Sequence, residues 1–187
     1  MDYSIGAVRR AFGIFFLGIA IGVAASASLT EVAFRYHAAN YVYPIIWIGI
    51  LAGTISAVKL THPYMFNAMS KRFTQSVKWS TGMKVICGIC WAVPFAVIAI
   101  LPDYYSYLIL LGIGFGNIST YLITRKVNGV SFSEQLIVGA LSLASLPIVV
   151  FLGLSHMFSS DMLQFLTRLF IAFAYGAGGA YTFQLEA

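Results

Sequence analysis

Long apolar stretches alternate with short polar connections along this chain. Six stretches of about 17 to 22 residues are each long enough to cross a hydrocarbon core of about 30 Å as a helix, and they cover residues 11–29, 41–58, 85–101, 107–123, 135–154 and 162–183. The pattern predicts an all-α, polytopic integral membrane protein with six transmembrane helices. Because no linker rich in Pro, Ser or Gly interrupts the chain, we expect residues 1–187 to form a single transmembrane helical bundle.

Small residues recur at a spacing of four in these stretches. In the fourth stretch Gly112, Gly116 and Thr120 form such a stripe. Lipid gives helices no hydrophobic reason to associate, so small residues that permit close backbone approach are typical of helix–helix contacts. We expect each stripe to lie against a neighbouring helix. The remaining stripes are Gly18, Gly22 and Ser26; Gly49, Gly53 and Ala57; Gly88, Ala92 and Ala96; and Ala172, Gly176 and Ala180.

The connection over residues 59–84 is the longest polar segment between two stretches. Its apolar residues Phe66, Met69, Phe73 and Val77 are three or four positions apart, and basic residues lie between them. This spacing predicts an amphipathic helix that rests in the plane of the lipid headgroups.

The composition indicates the solvent of the folded chain. The chain is 60% hydrophobic and 9% charged, whereas soluble domains contain about 45–50% and 25% of these residues. A water-soluble globule is therefore excluded, and the lipid bilayer is the expected partner. The net charge of +5 comes from basic residues near the ends of the stretches, which favours lipid headgroups over nucleic acid as their partner.

The basic residues also predict the topology. Nine of them fall on one side of a six-span arrangement, and only Arg35 and Arg168 fall on the other. Short cytoplasmic loops carry such an excess of Lys and Arg, so we expect a multi-pass protein of the cell membrane with both termini in the cytoplasm. The nine are Arg9, Arg10, Lys59, Lys71, Arg72, Lys78, Lys84, Arg125 and Lys126.

Two stretches resemble each other in sequence. Residues 16–22 and 110–116 both contain Leu-Gly-Ile followed by a glycine in the seventh position. If the chain consists of two halves of three spans, the halves have opposite orientations, which is the 3+3 inverted repeat of many transporters and channels. Because Leu, Ile and Gly are common here, a chance match is the alternative.

Four residues are candidates for a solute path. Arg168 is the only charged residue well inside a predicted span, so it either lies near the interface beside Asp161 or supplies the positive charge of a polar path. Asn117 is either an interhelical hydrogen-bonding residue or a solute ligand. Pro94 and Pro147 each free a backbone carbonyl, which either coordinates a solute or accompanies a packing kink.

Several chemical sites are not expected. Cys87 and Cys90 form a C-x-x-C, but a zinc site needs two more ligands and a redox relay needs further cysteines. The three histidines lie outside the predicted spans, so no haem, metal or other cofactor is predicted. The predicted spans also contain no Asp or Glu for a carboxylate proton relay. No catalytic set is recognisable, which argues against an enzyme.

The sequence therefore predicts a small integral membrane channel or facilitator, acting as a homo-oligomer on a small solute or ion. The inverted repeat, the two prolines and the pair Arg168 and Asn117 favour this function. The alternative is a non-catalytic structural subunit that binds other membrane subunits in a larger complex, for which the stripes alone would suffice. A lipid-modifying enzyme of unrecognised mechanism ranks third.

Overall fold

The computed structural model describes residues 5–64, 66–67, 79–128, 131–155 and 157–184. This part of the chain contains six long α-helices, and a short 3-10 helix at Pro102–Tyr104 precedes the fourth. Each long helix covers one of the six predicted stretches, so the all-helical fold is confirmed. The helices are α1 Ile5–Arg35, α2 Val42–Thr61, α3 Thr81–Ile100, α4 Tyr105–Asn128, α5 Ser133–Leu154 and α6 Ser160–Gln184.

Five of the six helices, α1 to α5, are long and apolar enough to span a membrane. The sixth, α6, has 25 residues, but it carries Asp161, Gln164 and Arg168 in its first half. The helix α6 contacts α1, α5 and α4. Polar residues at membrane depth are tolerated where they face other helices. The fold is thus compatible with a polytopic membrane protein, and six complete spans stay a prediction.

The ends of two helices follow recognised capping patterns. Beyond α1, His37 adopts a positive φ of 53°, the amide of His37 donates to Phe34 O at 3.0 Å, and that of Ala38 donates to Ala33 O at 2.9 Å. These two bonds form a Schellman motif, which ends the helix and reverses the chain. At the start of α3, the Ser80 hydroxyl accepts from the Met83 amide at 3.4 Å.

The helices pack side by side in the order α2, α1, α6, α5, α4 and α3, and a smaller contact joins α4 to α6. The two helices at the ends of this row are nearly unburied: α2 has no buried residue, and α3 buries only Cys87. The core therefore lies among α1, α4, α5 and α6. There the Phe16 and Tyr175 rings meet edge to face at 5.3 Å, and the Phe12 and Phe132 rings lie 5.5 Å apart.

The stripe on α4 lies at a helix interface, as predicted. Gly112 and Gly116 are buried, and a Cβ at Gly112 would lie 3.2 Å from the Pro94 Cβ of α3. A Cβ at Gly116 would overlap the Trp91 ring. The stripe thus makes room for large side chains of α3, which fill it.

The stripes on α1 and α6 also face neighbouring helices. A Cβ at Gly18 would lie 3.0 Å from Val58 of α2, and one at Gly22 would lie 3.0 Å from Leu51. On α6, the corresponding position at Gly176 would lie 3.7 Å from Ala20 of α1. These contacts agree with the expectation for both helices.

For α2 and α3 the expectation is wrong. Among the described residues, no atom lies within 4 Å of a Cβ placed on Gly49, Gly53 or Gly88, and all three glycines are exposed. The two helices contact their neighbours through other faces, which carry larger side chains. Leu51 and Val58 of α2 pack against α1.

The closest backbone crossings use glycines outside the predicted stripes. A Cβ at Gly139 of α5 would lie 2.9 Å from the Gly114 carbonyl oxygen of α4, and one at Gly179 of α6 would lie 2.9 Å from the Gly13 carbonyl oxygen of α1. Any side chain at Gly139 or Gly179 would therefore press on a neighbouring backbone.

The inverted repeat stays a prediction. If α1, α2 and α3 correspond to α4, α5 and α6, the contact of α1 with α2 matches that of α4 with α5, and the contact of α1 with α6 matches that of α4 with α3. The contact of α5 with α6 would require one between α2 and α3. Within the described residues α2 and α3 form no extensive contact.

Part of the basic connection lies outside the described residues. Three residues of the predicted surface helix, Met69, Phe73 and Val77, lie outside the described residues. The same is true of the basic residues Lys71, Arg72 and Lys78. Phe66 is described and packs, half-buried, against the core. Which end of the bundle faces the cytoplasm stays a prediction.

Candidate functional site

A cavity of about 640 Å³ opens between α1, α2, α4 and α6. Its volume lies within the range of about 300–1,000 Å³ that is usual for small-molecule sites. We call it the Arg168 cavity. It lies at the end of the bundle formed by the α1–α2 turn, the 3-10 helix and the start of α6, and its walls consist of Thr30, Glu31, Phe34, Asn40, Tyr43, Pro44, Trp47, Tyr105, Ile109, Asp161, Gln164 and Arg168.

The spacing along α6 brings its three polar residues into this cavity. Asp161, Gln164 and Arg168 are three and four positions apart, which places them on one face of a helix. Long side chains on a helix extend towards its N-terminus. Accordingly, the Arg168 guanidinium reaches back one turn, and its Nη2 donates a hydrogen bond to Gln164 Oε1 at 3.2 Å.

Aromatic rings from two other helices hold the Arg168 guanidinium. Its central carbon lies 5.5 Å from the Trp47 ring centroid of α2 and 5.4 Å from that of Tyr105 of α4. Its Nε also donates to the Tyr105 hydroxyl at 3.4 Å. Each cation–π contact contributes about 0.5–2 kcal/mol, depending on exposure. Bonds to described residues use two of the five guanidinium N–H donors.

The α1–α2 hairpin supports the aromatic wall. Trp47 Nε1 donates to Thr30 Oγ1 of α1 at 3.0 Å, which fixes the plane of the indole that Arg168 contacts. Asn40 and Tyr43, which follow the Schellman turn at His37, line the cavity. The Trp47 ring is therefore hydrogen-bonded to α1 on one side and in contact with Arg168 of α6.

Two carboxylates share the cavity with Arg168. Glu31 Oε1 accepts from Arg35 Nε at 3.1 Å, and the Arg35 side chain is 70% exposed, so this pair contributes at most about 1 kcal/mol. Asp161 is exposed and forms no ion pair within 4.0 Å with the described basic residues. The interpretation that Arg168 pairs with Asp161 is therefore not supported. Arg168 instead lies inside α6 and is held by Gln164 and the two rings.

Asn117 lies deeper in the bundle than the Arg168 cavity. It is 3% exposed, its Nδ2 donates to Ile113 O at 2.9 Å, and its side chain lies close to Tyr175 of α6. Tyr175 and Arg168 are seven positions apart, so they share a face of α6 and are separated by about 10 Å along its axis.

Apolar residues separate these two polar positions. Ile171 and Ala172 lie between Arg168 and Tyr175 on α6, and they are 3% and 8% exposed. On α4, Ile113 is 7% exposed and lies one turn from Asn117. The structure thus brings Arg168 and Asn117 to one seam between α4 and α6, and buried apolar side chains close that seam between them.

The two prolines do not lie in the cavity wall. Pro94 is half-buried on α3 and packs against the stripe of α4. Pro147 is exposed on α5. Of the four candidate path residues, only Arg168 lines the Arg168 cavity.

Comparison with protein-family models, with curated proteins and with solved structures found no match to this chain. A function must therefore be argued from the geometry and chemistry of the site.

Sequence reasoning missed the partners of Arg168. The sequence pattern assigns no role to Tyr105 and Gln164, and it does not connect Trp47 with Arg168. One signal was available, because Asp161, Gln164 and Arg168 share a helical face within an otherwise apolar stretch. The rings come from distant parts of the chain, and no local pattern connects them to Arg168.

A second polar cluster ties helices together at the opposite end of the bundle. Arg9 Nη2 donates to Ser131 O at 2.6 Å, and the Tyr121 hydroxyl accepts from Arg125 Nη1 and from Ser131 Oγ, each at 3.3 Å. Near this end, Glu134 is fully buried in the first turn of α5. The helix α5 begins at Ser133 and therefore includes Glu134, which lies one residue before the predicted span 135–154.

The described cysteines and histidines do not come together in a metal-binding cluster. Both cysteines are free thiols, and Cys87 is buried with its Sγ 3.5 Å from Thr120 Oγ1 of α4. Cys90 is half-buried. Within the described residues no group of three His, Cys, Asp or Glu could hold a metal ion.

Proposed function

We propose that this chain is a small membrane facilitator and that its solute binds in the Arg168 cavity. One observation carries the proposal: a half-buried guanidinium is held between Trp47 and Tyr105 in a cavity of small-molecule size. Three of its N–H donors have no acceptor among the described residues. A charge held at depth is costly, and such residues commonly mark solute paths. Because the rings restrain the side chain, it would bind an anionic group with little further ordering.

The seam between α4 and α6 supports a route beyond the cavity. The contact between these two helices is much smaller than the contact of either with α5. The buried residues Asn117 and Tyr175 supply a second polar position, with Tyr175 about two turns from Arg168 along α6. For passage, the seam would have to open at Ile113 and Ile171, which are buried in this closed arrangement.

The test is flux into liposomes that contain the purified protein. We expect the parent to transport a small solute with an anionic group, and Arg168→Gln to lower its initial rate at least tenfold. This estimate follows because a hydrogen bond to a charged group contributes about 1.5–3 kcal/mol and about 1.4 kcal/mol corresponds to tenfold. Arg10→Gln is the matched control, since Arg10 is exposed near the start of α1.

Two results would contradict the proposal. Equal rates in the parent and in Arg168→Gln would remove this cavity from the route. A parent without flux for any small solute would contradict the facilitator itself. Circular dichroism and thermal unfolding in detergent should confirm that the variants keep the fold, so that a lower rate is not a loss of protein.

The second candidate function is a non-catalytic subunit of a larger membrane complex. It is favoured by the small-residue faces of α2 and α3, where no described residue lies within 4 Å of a Cβ placed on Gly49, Gly53 or Gly88. Such faces allow close approach of another transmembrane helix. Purification of the chain alone in mild detergent separates the two functions. A stable preparation favours the facilitator, and rapid aggregation that a co-expressed membrane partner prevents favours the subunit.

A further inference from the structure

We infer that the Arg168 cavity takes a small zwitterion, a solute with one carboxylate and one amino group. This inference rests on the proposed function. It depends on the charges in the cavity wall, which contains the cationic Arg168 together with the carboxylates of Glu31 and Asp161. A simple anion that binds Arg168 would share the cavity with the unpaired carboxylate of Asp161, and a simple cation would meet the guanidinium. A zwitterion can satisfy both signs at once.

The two ends of the solute have distinct partners. Bonds to described residues leave three N–H donors of Arg168 for the carboxylate of the solute, and a guanidinium suits bidentate carboxylate binding. Of the two acids, Glu31 is engaged by Arg35 at 3.1 Å, whereas Asp161 has no basic partner within 4.0 Å among the described residues. Asp161 is therefore the partner for the amino group.

The distance between these two partners suits a short molecule. Asp161 and Arg168 are seven positions apart on one face of α6, about 10 Å along the axis. The Arg168 side chain reaches back by one turn to Gln164, which shortens the gap. Phe34, Pro44 and Ile109 supply apolar wall for the carbon chain of the solute. These features favour an amino acid with a few carbon atoms between its charged groups.

The experiment measures binding by titration calorimetry to the purified full chain in detergent without phospholipid. The probes are γ-aminobutyrate, butyrate and butylamine, which share a four-carbon chain and differ in charge. We expect γ-aminobutyrate to bind at least tenfold tighter than either of the others. Butyrate binding that equals or exceeds that of the zwitterion would overturn the inference.

Two variants test which residue binds each charged group of the solute. Asp161→Asn should abolish the preference for γ-aminobutyrate over butyrate, and Arg168→Gln should abolish the preference over butylamine. Asp103→Asn is the matched control, because Asp103 is an exposed carboxylate of the 3-10 helix and does not line the cavity. An unchanged preference in Asp161→Asn would contradict the assigned partner.

A zwitterionic lipid headgroup has similar chemistry, so glycerophosphoethanolamine is included as a fourth probe. If it binds and the amino acid does not, the cavity holds a lipid headgroup and the inferred solute is wrong. Flux separates this inference from the proposed function. Tight γ-aminobutyrate binding without flux would contradict the facilitator alone. Flux of anions without any zwitterion preference would contradict the inference alone.

Discussion

The small-residue stripes of α4 and α2 have the same spacing and opposite environments. Gly112 and Gly116 of α4 are buried beneath Trp91, Pro94 and other side chains of α3, whereas Gly53 of α2 has nothing within 4 Å. α4 lies inside the row of helices with neighbours on both sides, while α2 is its terminal member. A stripe thus permits close packing without requiring it. Whether it is filled depends on the large side chains that the neighbouring helix presents.

We expect the largest loss of stability when a stripe glycine of α4 is replaced by a large residue. A leucine at Gly116 would need the space of the Trp91 ring, so Gly116→Leu should lower the free energy of unfolding by about 1–3 kcal/mol, as overpacking does generally. Reversible unfolding in detergent, followed by circular dichroism, measures this change. A variant that unfolds like the parent would mean that α3 does not fill the stripe.

A smaller loss of stability should follow when Trp91, the α3 side chain that fills the stripe of α4, is changed. Trp91 Nε1 donates to Thr120 Oγ1 at 3.2 Å, and Trp91→Phe keeps an aromatic ring while removing that donor. Hydrogen bonds between membrane helices average about 0.6 kcal/mol, so we expect a destabilisation near that value plus the loss of ring contacts. Thr120→Val should then cost less in the Trp91→Phe background than in the parent. Additive losses from the two changes would exclude the Trp91–Thr120 bond as their common cause.

The smallest effect on unfolding should come from the open stripes. Gly53→Leu and Gly88→Leu add side chains where no neighbour lies within 4 Å, so each should change the free energy of unfolding of the monomer by less than about 0.5 kcal/mol. The same variants are compared by light scattering during size-exclusion chromatography. A parent assembly that the leucines dissociate would show that the open faces serve as a contact between chains. A large loss of monomer stability would contradict their exposure.

The site was predictable only in part, and Arg168 illustrates the limit. A lone arginine in a long apolar stretch identifies a residue that needs polar or aromatic partners, whatever the fold. Its partners come from three places: Gln164 on the same helix, Trp47 on α2 and Tyr105 on α4. Only the first follows from helical spacing. The rings contact Arg168 because α6 packs beside α1 and contacts α4. No local sequence pattern predicts this order of helices.

The sequence by itself determined the six helices and their approximate limits. Apolar length and the connections between stretches act within one segment, so a single segment suffices to predict them. Tertiary structure alone decided which glycines are buried, because burial at Gly116 depends on Trp91 and exposure at Gly53 depends on the lack of a neighbour. It also decided that Arg168 lines a cavity while Pro147 is exposed on α5. These outcomes depend on which helices become neighbours. In lipid, the packing of complete helix surfaces against each other determines which helices associate.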